Sequence, residues 1–402
     1  MIKRIPLSAL QVGMYIADLN NDWIPHNTQR RRGIVRSEDT LAKIHKLGVT
    51  HLYIDTEKGK DSSEGEPVEE VDCSNETLLQ KAGELPPAGT PRTDRDDEIP
   101  VAIRIHQEAQ DLVGTLLQDV KLGKAIDLTP IHELADNLQG SVFRNQNAMA
   151  CLGRIRDKDN YLLQHSVNLS VLMSIFGKSM GHSDDVLHQT VVGALLHDIG
   201  KVLTPDDILH KPGRLTPEEF EVMKLHALHS HQILASTEGI GELTIITAAQ
   251  HHERMDGSGY PVGLKGDAIS IYGRMVAIAD VYDAITSNRV YHKGMTPTQG
   301  LKKLLEWSGD HLDPKLVRLF IRCIGIYPVG SLVLLESGRL GVVVAGNEED
   351  QRLPVLRVIY HTRFRMPIPV ETLDLAKPGV QDRIKHAVDP ETYKLNIAPF
   401  LS

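Results

Sequence analysis

Val191-Val192-Gly193-Ala194-Leu195-Leu196-His197-Asp198 is the stretch on which the reading of this chain turns. An apolar run of this kind is a helix packed into a core, yet it ends on an adjacent imidazole and carboxylate. Ionisable side chains are costly to bury unless they are paired or coordinated. The same conflict recurs at Asp280, inside Val276-Ala-Ile-Ala-Asp-Val-Tyr282, and at His251-His252, which follow the apolar helix Leu243-Thr-Ile-Ile-Thr-Ala-Ala249. Anomalies of one kind on separate helices call for one solution. Imidazole and carboxylate together form the mixed nitrogen and oxygen donor set that suits iron, manganese or similar ions. His165, His197, Asp198, His226, His251, His252 and Asp280 are the expected ligands of a dinuclear site, with Asp198 placed to bridge two ions.

Composition supports a search among histidines. The chain has 402 residues with 19 His, against 6 Phe and 2 Trp, and imidazole is the commonest metal-binding side chain. A formal charge of -9 argues against a nucleic-acid polymer as partner, since such binders carry a basic face. Cys73, Cys151 and Cys323 are far apart and form no CxxC pair, which speaks against a thiolate zinc site and a disulfide framework. No apolar stretch reaches the roughly 18 residues of a membrane span, and no signal-like segment follows Met1, so a soluble cytoplasmic protein is expected.

Working outward, helix signals dominate the middle of the chain. Ser183 before Asp184 and Asp185 opens one helix. Thr216-Pro-Glu-Glu219 supplies an N-cap, a proline at the first position and a capping-box glutamate. Residues 1–56 read as a small α/β domain, with strand character at Met14-Tyr-Ile-Ala and Val49-Thr-His-Leu-Tyr-Ile, and a helix between Ser37 and Gly48. Residues 57–98, rich in Glu, Asp, Ser, Gly and Pro, read as an acidic flexible linker. Residues 99–158 read as connecting helices, 159–326 as an all-α core, and 327–402 as a small β-rich extension built from Ser331-Leu-Val-Leu-Leu, Gly341-Val-Val-Val and Val355-Leu-Arg-Val-Ile-Tyr. The fold class expected is mainly α.

His165-Ser-Val-Asn, His197-Asp-Ile-Gly-Lys201, Lys211-Pro-Gly-Arg-Leu-Thr216, His226, His251-His-Glu-Arg-Met-Asp-Gly-Ser-Gly-Tyr-Pro261 and Ala279-Asp-Val-Tyr-Asp-Ala-Ile-Thr-Ser287 followed by Arg289 come in a fixed order. In this series the chain resembles the HD-GYP domain family. The start of the chain, with Leu10-Gln-Val-Gly-Met-Tyr-Ile, is similar to a small domain often found ahead of HD-GYP domains in bacteria. The resemblance implies an HD-superfamily helical core over roughly Asp159 to Ile326. It also implies a metal-dependent phosphodiesterase that opens cyclic di-GMP to linear pGpG, and in some members goes on to GMP, through a hydroxide activated at two metal ions.

On that resemblance Lys201 binds a non-bridging phosphate oxygen, and Arg289 clamps phosphate or a guanine edge. Tyr260, in the Gly-rich loop, stacks on a base or packs beside the site, and protein partners read the same loop. His292 stands where an arginine or lysine is usual, which makes the substrate clamp weaker or dependent on pH. Tyr161 replaces a glutamate that some members use for a third ion, so two ions are expected. Asp283 is expected to orient a ligand or Arg289 rather than to ligate. His182, His188, His229 and His231 fit no motif position and are expected to be ordinary helix histidines. The alternatives are a hydrolase of another nucleotide on the same superfamily fold, or a module that binds cyclic di-GMP or docks a partner with little turnover.

Overall fold

The computed structural model describes residues 1–24, 32–83, 92–155, 161–211, 213–287, 294–347 and 349–401, with the backbone alone at Tyr161. Arg289 and His292 therefore lie outside the described residues, as does the Tyr161 side chain. The chain divides into two compact units, Met1–Leu78 with Lys211–Glu221, and Leu79–His210 with Val222–Ser402. It is mainly helical, with small antiparallel sheets toward both ends.

In the first unit, strands β1 (Ile2–Pro6), β2 (Tyr15–Asp18), β3 (Gly33–Ile34), helix α1 (Glu38–His45), and strands β4 (His51–Asp55) and β5 (Glu66–Pro67) build a sheet of order β3-β2-β4-β1-β5. β1 runs antiparallel to β4 from Ile2↔Asp55 to Pro6↔His51. Ile5, Leu10, Met14, Ile16, Leu52 and Ile54 form its core with Ile44 of α1. Ser37 caps α1 by accepting from the Thr40 amide at 3.3 Å, Glu38 and Asp39 occupy the electropositive first turn, and Gly48 takes the left-handed φ of 73° that ends the turn. The capping box of Thr216 and Glu219 also forms: Glu219 Oε2 accepts from the Thr216 amide at 2.6 Å, and Thr216 Oγ1 accepts from the Glu219 amide at 3.3 Å.

The linker expectation for residues 57–98 needs correction. β5 pairs with β1 there, and Val68–Gly83 forms helix α2. Val71 and Leu79 are buried at 3% and 1% exposure. Composition over the whole segment hides this, because a few apolar residues at helical spacing suffice to seat a helix that is otherwise polar.

In the second unit the chain continues through α3 (Arg95–Lys121), α4 (Thr129–Leu152), α5 (Tyr161–Met180), α6 (Asp184–Leu196), α7 (Asp206–Leu209), α8 (Pro217–Ala235), α9 (Glu242–Ala249), α10 (Ile271–Thr286), α11 (Pro297–Glu306) and α12 (Pro314–Ile324). Only the start of α8 falls outside this unit. α5 is the central helix, packed against α3, α4, α6, α10 and α12. Its Val167, Leu169, Met173 and Phe176 are fully buried, each contributing about 1.5–3 kcal/mol on removal from water. Phe176 meets Phe320 of α12 edge to face at 5.3 Å, and Tyr282 of α10 meets Phe320 at the same distance.

After α12, Gly325 turns the chain with a φ of 84° into β6 (Leu332–Leu335), β7 (Arg339–Ala345), β8 (Val355–His361), β9 (Met366–Asp374) and β10 (Ile384–Val388), an antiparallel sheet of order β10-β6-β7-β8-β9. It is tied to the helices by Cys151 of α4, whose thiol donates to the Val344 carbonyl at 3.7 Å, and by Arg95 of α3, which donates to the Leu401 carbonyl at 2.5 Å. All three cysteines are free thiols, and no described helix is long and apolar enough to cross a membrane.

Candidate metal centre

The predicted donors come from α5, the end of α6, the middle of α8, the residues just after α9, and α10. His165 lies on α5, and His197 is the C-cap of α6, with Asp198 next in sequence. His226 is buried in α8, His251 and His252 follow the α9 C-cap Gln250, and Asp280 sits in the buried α10. All seven are at most 5% exposed. The structure brings them into one cluster in which three overlapping triads, His226-His251-His252, His165-His197-Asp280 and His197-Asp198-His251, each hold their donor atoms within 4.8 Å of one another.

The hydrogen bonds around the cluster set which nitrogen faces inward. Nδ1 of His197 lies 2.8 Å from the Ala194 carbonyl, Nδ1 of His226 2.6 Å from that of Met223, and Nδ1 of His251 2.6 Å from that of Ala248. A carbonyl can only accept, so each Nδ1 carries the proton and each Nε2 presents a lone pair. For His197 and His251 the acceptor is available because the last carbonyls of a helix have no partner within it.

His226 Nε2 and His251 Nε2 consequently oppose their lone pairs at 3.3 Å. Protonating one ring would relieve this, but burial pushes His226 down to about 4, although Asp198 partly opposes the shift. Burial likewise holds His251 and His252 well below the ordinary imidazole value. At neutral pH the three rings are neutral, which is the state a cation needs.

The carboxylates complete the set. Burial alone would favour a protonated Asp198, but His197 and Lys201 outweigh it and hold the group well below the usual carboxylate range. Its Oδ2 lies 2.5 Å from Lys201 Nζ and 3.2 Å from His197 Nε2, and its Oδ1 lies 3.3 Å from His226 Nε2. Asp280 is brought to about 2, burial being overcome by the hydrogen bond from His165. His197 Nε2, Asp198 Oδ1 and His252 Nδ1 are buried and make no hydrogen bond among the described residues. Orphaned buried polar atoms are rare in a folded chain, and opposed lone pairs beside ionised carboxylates fit divalent cations.

Asp283 does not join the triads. Its Oδ2 lies 2.7 Å from His165 Nδ1, so it orients a predicted ligand. Tyr260 packs against the imidazoles, with ring centroids 4.6 Å from His252 and 6.2 Å from His226, and its phenol is pushed well above the ordinary value by burial. Of the histidines outside the motifs, His188 bonds His132 and Asp136, both at 2.8 Å, while His182 lies in the turn between α5 and α6.

Sequence reasoning passed over the supports. Gly200 sits so close to α8 that a Cβ there would lie 2.1 Å from the His226 carbonyl oxygen, and Ser230 Oγ joins the two segments by accepting from the Gly200 amide at 2.9 Å and donating to the His197 carbonyl at 2.7 Å. Glu253, 2% exposed, accepts from the amides of Val262, Gly263 and Leu264 at 2.9, 3.2 and 2.8 Å. Arg254, equally buried, donates to the carbonyls of His251 and Glu253. At Gly259 a Cβ would meet the Arg254 amide nitrogen at 2.4 Å, so the loop folds directly back onto the histidine pair. A buried Glu-Arg directly after two predicted ligands was the available signal.

Comparison with known proteins agrees with this architecture. Residues 150–316 match the HD domain family, and residues 2–131 match a domain of unknown function, DUF3391. The chain is 37% identical over 390 residues to cyclic di-GMP phosphodiesterase PA4108 of Pseudomonas aeruginosa, covering 96% of this chain and 91% of that protein. It is 41% identical over 188 residues to a probable cyclic di-GMP phosphodiesterase of Vibrio cholerae, covering 43% of this chain and 42% of that one. A 3'3'-cGAMP-specific phosphodiesterase 2 of the same organism is 33% identical over 223 residues, 54% of this chain and 42% of its own. Among solved structures, Bd1817, an HD-GYP-type protein from Bdellovibrio bacteriovorus, aligns with a TM-score of 0.48 and 17% identity over 80% of this chain and 98% of its own. With a full-length relative at this identity, an HD domain over the donor cluster and DUF3391 ahead of it, the chain belongs to the HD-GYP family.

Proposed function

We propose that this protein is a cytoplasmic, metal-dependent phosphodiesterase that hydrolyses cyclic di-GMP to linear pGpG, with GMP as a possible second product. The observation that carries the reading is the pair of inward lone pairs on His226 and His251, set 3.3 Å apart by backbone acceptors in a buried, carboxylate-lined cluster. Such an arrangement is hard to account for except as a cation site. The name of the full-length Pseudomonas relative supplies the substrate class.

Two divalent ions, iron or manganese by the mixed donor set, would be held by His165, His197, Asp198, His226, His251, His252 and Asp280. Bound there, they would supply Lewis-acid charge and lower the pKa of a water. The chain's own groups do the rest. Lys201, whose ammonium lies 2.5 Å from Asp198, would bind a non-bridging phosphate oxygen of the substrate. Asp283 fixes the His165 ring, and Tyr260 walls the site, keeping water from the histidines. Arg289 and His292 are assigned to the substrate from their sequence positions alone. Val262, 73% exposed at the loop tip, is the surface left for a protein partner.

A second substrate has a specific observation in its favour, since relatives named for 3'3'-cGAMP match over half of this chain. The deciding experiment combines metal analysis of anaerobically purified protein with product identification from cyclic di-GMP and 3'3'-cGAMP. Two ions per chain and pGpG from cyclic di-GMP support the reading. A chain that binds ions but cleaves neither dinucleotide overturns the substrate.

A further inference from the structure

The hairpin between β8 and β9 departs from the charge of the chain as a whole. Val355 to Val370 contains Arg357, Arg363 and Arg365 and no Asp or Glu, in a chain of net charge -9. Arg363, Phe364 and Arg365 are exposed in its turn, and Met366 follows at the start of β9. Phe364, Met366 and Val370 are each more than half exposed. The guanidinium of Arg363 lies 6.0 Å from the centroid of the Phe364 ring, which in turn stands 4.5 Å from that of His361. Neither Arg363 nor Arg365 forms an ion pair among the described residues, and Glu371, the first carboxylate beyond the tip, is taken by Arg339 of β7 at 3.1 Å. Arg365 also takes a left-handed φ of 52°, a conformation that favours glycine, so the turn holds a charge against its own backbone preference.

The backbone here is closed to one class of partner. β9 is an edge strand, but Pro367 and Pro369 lack amide hydrogens, and a bulge separates the pairs Val358↔Glu371 and Tyr360↔Pro367. Such an edge cannot extend its ladder to a second copy or to a peptide strand. What it offers is side chains: two guanidinium groups around an aromatic ring and a thioether. Anionic headgroups above an apolar interior match both halves of that surface, whereas a nucleic acid would match the charges alone and leave Met366 and Val370 uncovered. We infer that this hairpin tip binds the surface of an anionic lipid bilayer, with Arg363 and Arg365 at the phosphates and Phe364 and Met366 entering the headgroup boundary. The contact is peripheral, and it is independent of which dinucleotide the metal centre cleaves.

The test is co-sedimentation of the full-length protein with vesicles of phosphatidylcholine, alone or mixed in equal parts with phosphatidylglycerol. The protein should bind the mixed vesicles and not the neutral ones, and raised salt should weaken the binding. Arg363→Gln combined with Arg365→Gln should weaken it about 10- to 30-fold, each arginine at an anionic surface contributing about 5-fold. Phe364→Ser should weaken it about 5- to 10-fold, the scale of partly burying one phenyl ring. Phe364→Trp keeps an aromatic ring at the tip, and its indole emission should shift to the blue on mixed vesicles. Trp23 and Trp307, 6% and 2% exposed, are buried and supply a constant background. That readout also decides the matter should Phe364→Ser not fold. No binding to the mixed vesicles, binding that survives loss of both arginines, or an unshifted emission each overturns the inference. Two other occupants have their own signatures, and either overturns it as well. A dimer that Phe364→Ser converts to a monomer, with vesicle binding unaffected, assigns the tip to a second copy; binding to single-stranded DNA but not to vesicles assigns it to nucleic acid.

Discussion

Asp283 Oδ2 lies 2.7 Å from Nδ1 of His165, while Nε2 of the same ring lies 3.0 Å from Asp280 Oδ1. The imidazole is held between two carboxylates one helical turn apart on α10. Outer carboxylates of this kind fix the ring of a ligand and raise its basicity, and their loss typically costs 10- to 100-fold in metal affinity. Asp283→Ala should therefore retain the fold and lower affinity for manganese by about that factor, read by titration against a chelator. Unchanged affinity would reduce Asp283 to packing.

Asp198 and Lys201 touch each other but should fail differently. Asp198→Ala removes a carboxylate buried among His197, His226 and Lys201, so bound metal should drop below one equivalent and turnover should disappear. Lys201→Met should keep its metal and lose about 100-fold in kcat, the scale of removing one preorganised charged donor from a transition state. Metal analysis beside kinetics separates the two. Loss of metal in the lysine variant would reassign Lys201 to structure, and near-normal hydrolysis by the aspartate variant would refute the bridging role.

Much of the site was legible because its chemistry conflicts with its surroundings. His197-Asp198 and Asp280 stand out in apolar helices, and a burial cost is visible without coordinates. The orientation of the rings was not legible. It depends on which carbonyls α6 and α9 leave free at their ends, and the sequence does not locate those ends to the residue. Nor was the role of Glu253, since an acid next to histidines reads equally as a ligand. Only the return of the chain at Gly259 places the amides of residues 262–264 over it. In the fold, α2 was hidden because composition averages over a window, whereas a helix needs only a stripe such as Val71 and Leu79.

Asp256 leads to a pH prediction. Burial would raise its pKa, but the close contact with His311, 3.2 Å away, and the hydrogen bonds from Ser258 outweigh burial and bring it to about 2. A carboxylate depressed in the folded state stabilises the protein above its unfolded pKa near 4, and that contribution is lost as pH falls through about 2. After allowing for partial exposure, Asp256→Asn should cost about 1–2 kcal/mol at pH 7. The gap between variant and wild type should narrow from pH 5 toward pH 3 in denaturant titrations. A constant gap would mean that the loss is one of shape rather than charge.

Glu253 decides whether the Gly-Tyr-Pro loop is a lid or part of the candidate metal centre. Glu253 follows His252 directly, and its carboxylate takes three backbone amides from the far side of the loop. The Tyr260 amide returns to the His252 carbonyl at 3.2 Å, and the Tyr260 ring lies against the His252 imidazole. One buried carboxylate thus couples the loop to His252, a predicted ligand. Glu253→Gln keeps the size but turns a donor toward amides that can only donate, and leaves at least one of them buried without an acceptor. Such a loss costs roughly 1–3 kcal/mol. The variant should unfold at lower temperature, exchange the amide hydrogens of residues 262–264 faster, and bind metal more weakly, because the support of His252 is loosened. Val262→Ser, at the exposed tip, should alter none of the three. If Glu253→Gln exchanges these amides at the wild-type rate, the carboxylate does not hold the loop. If exchange rises while metal affinity stays the same, the loop moves independently of the centre and is better described as a lid.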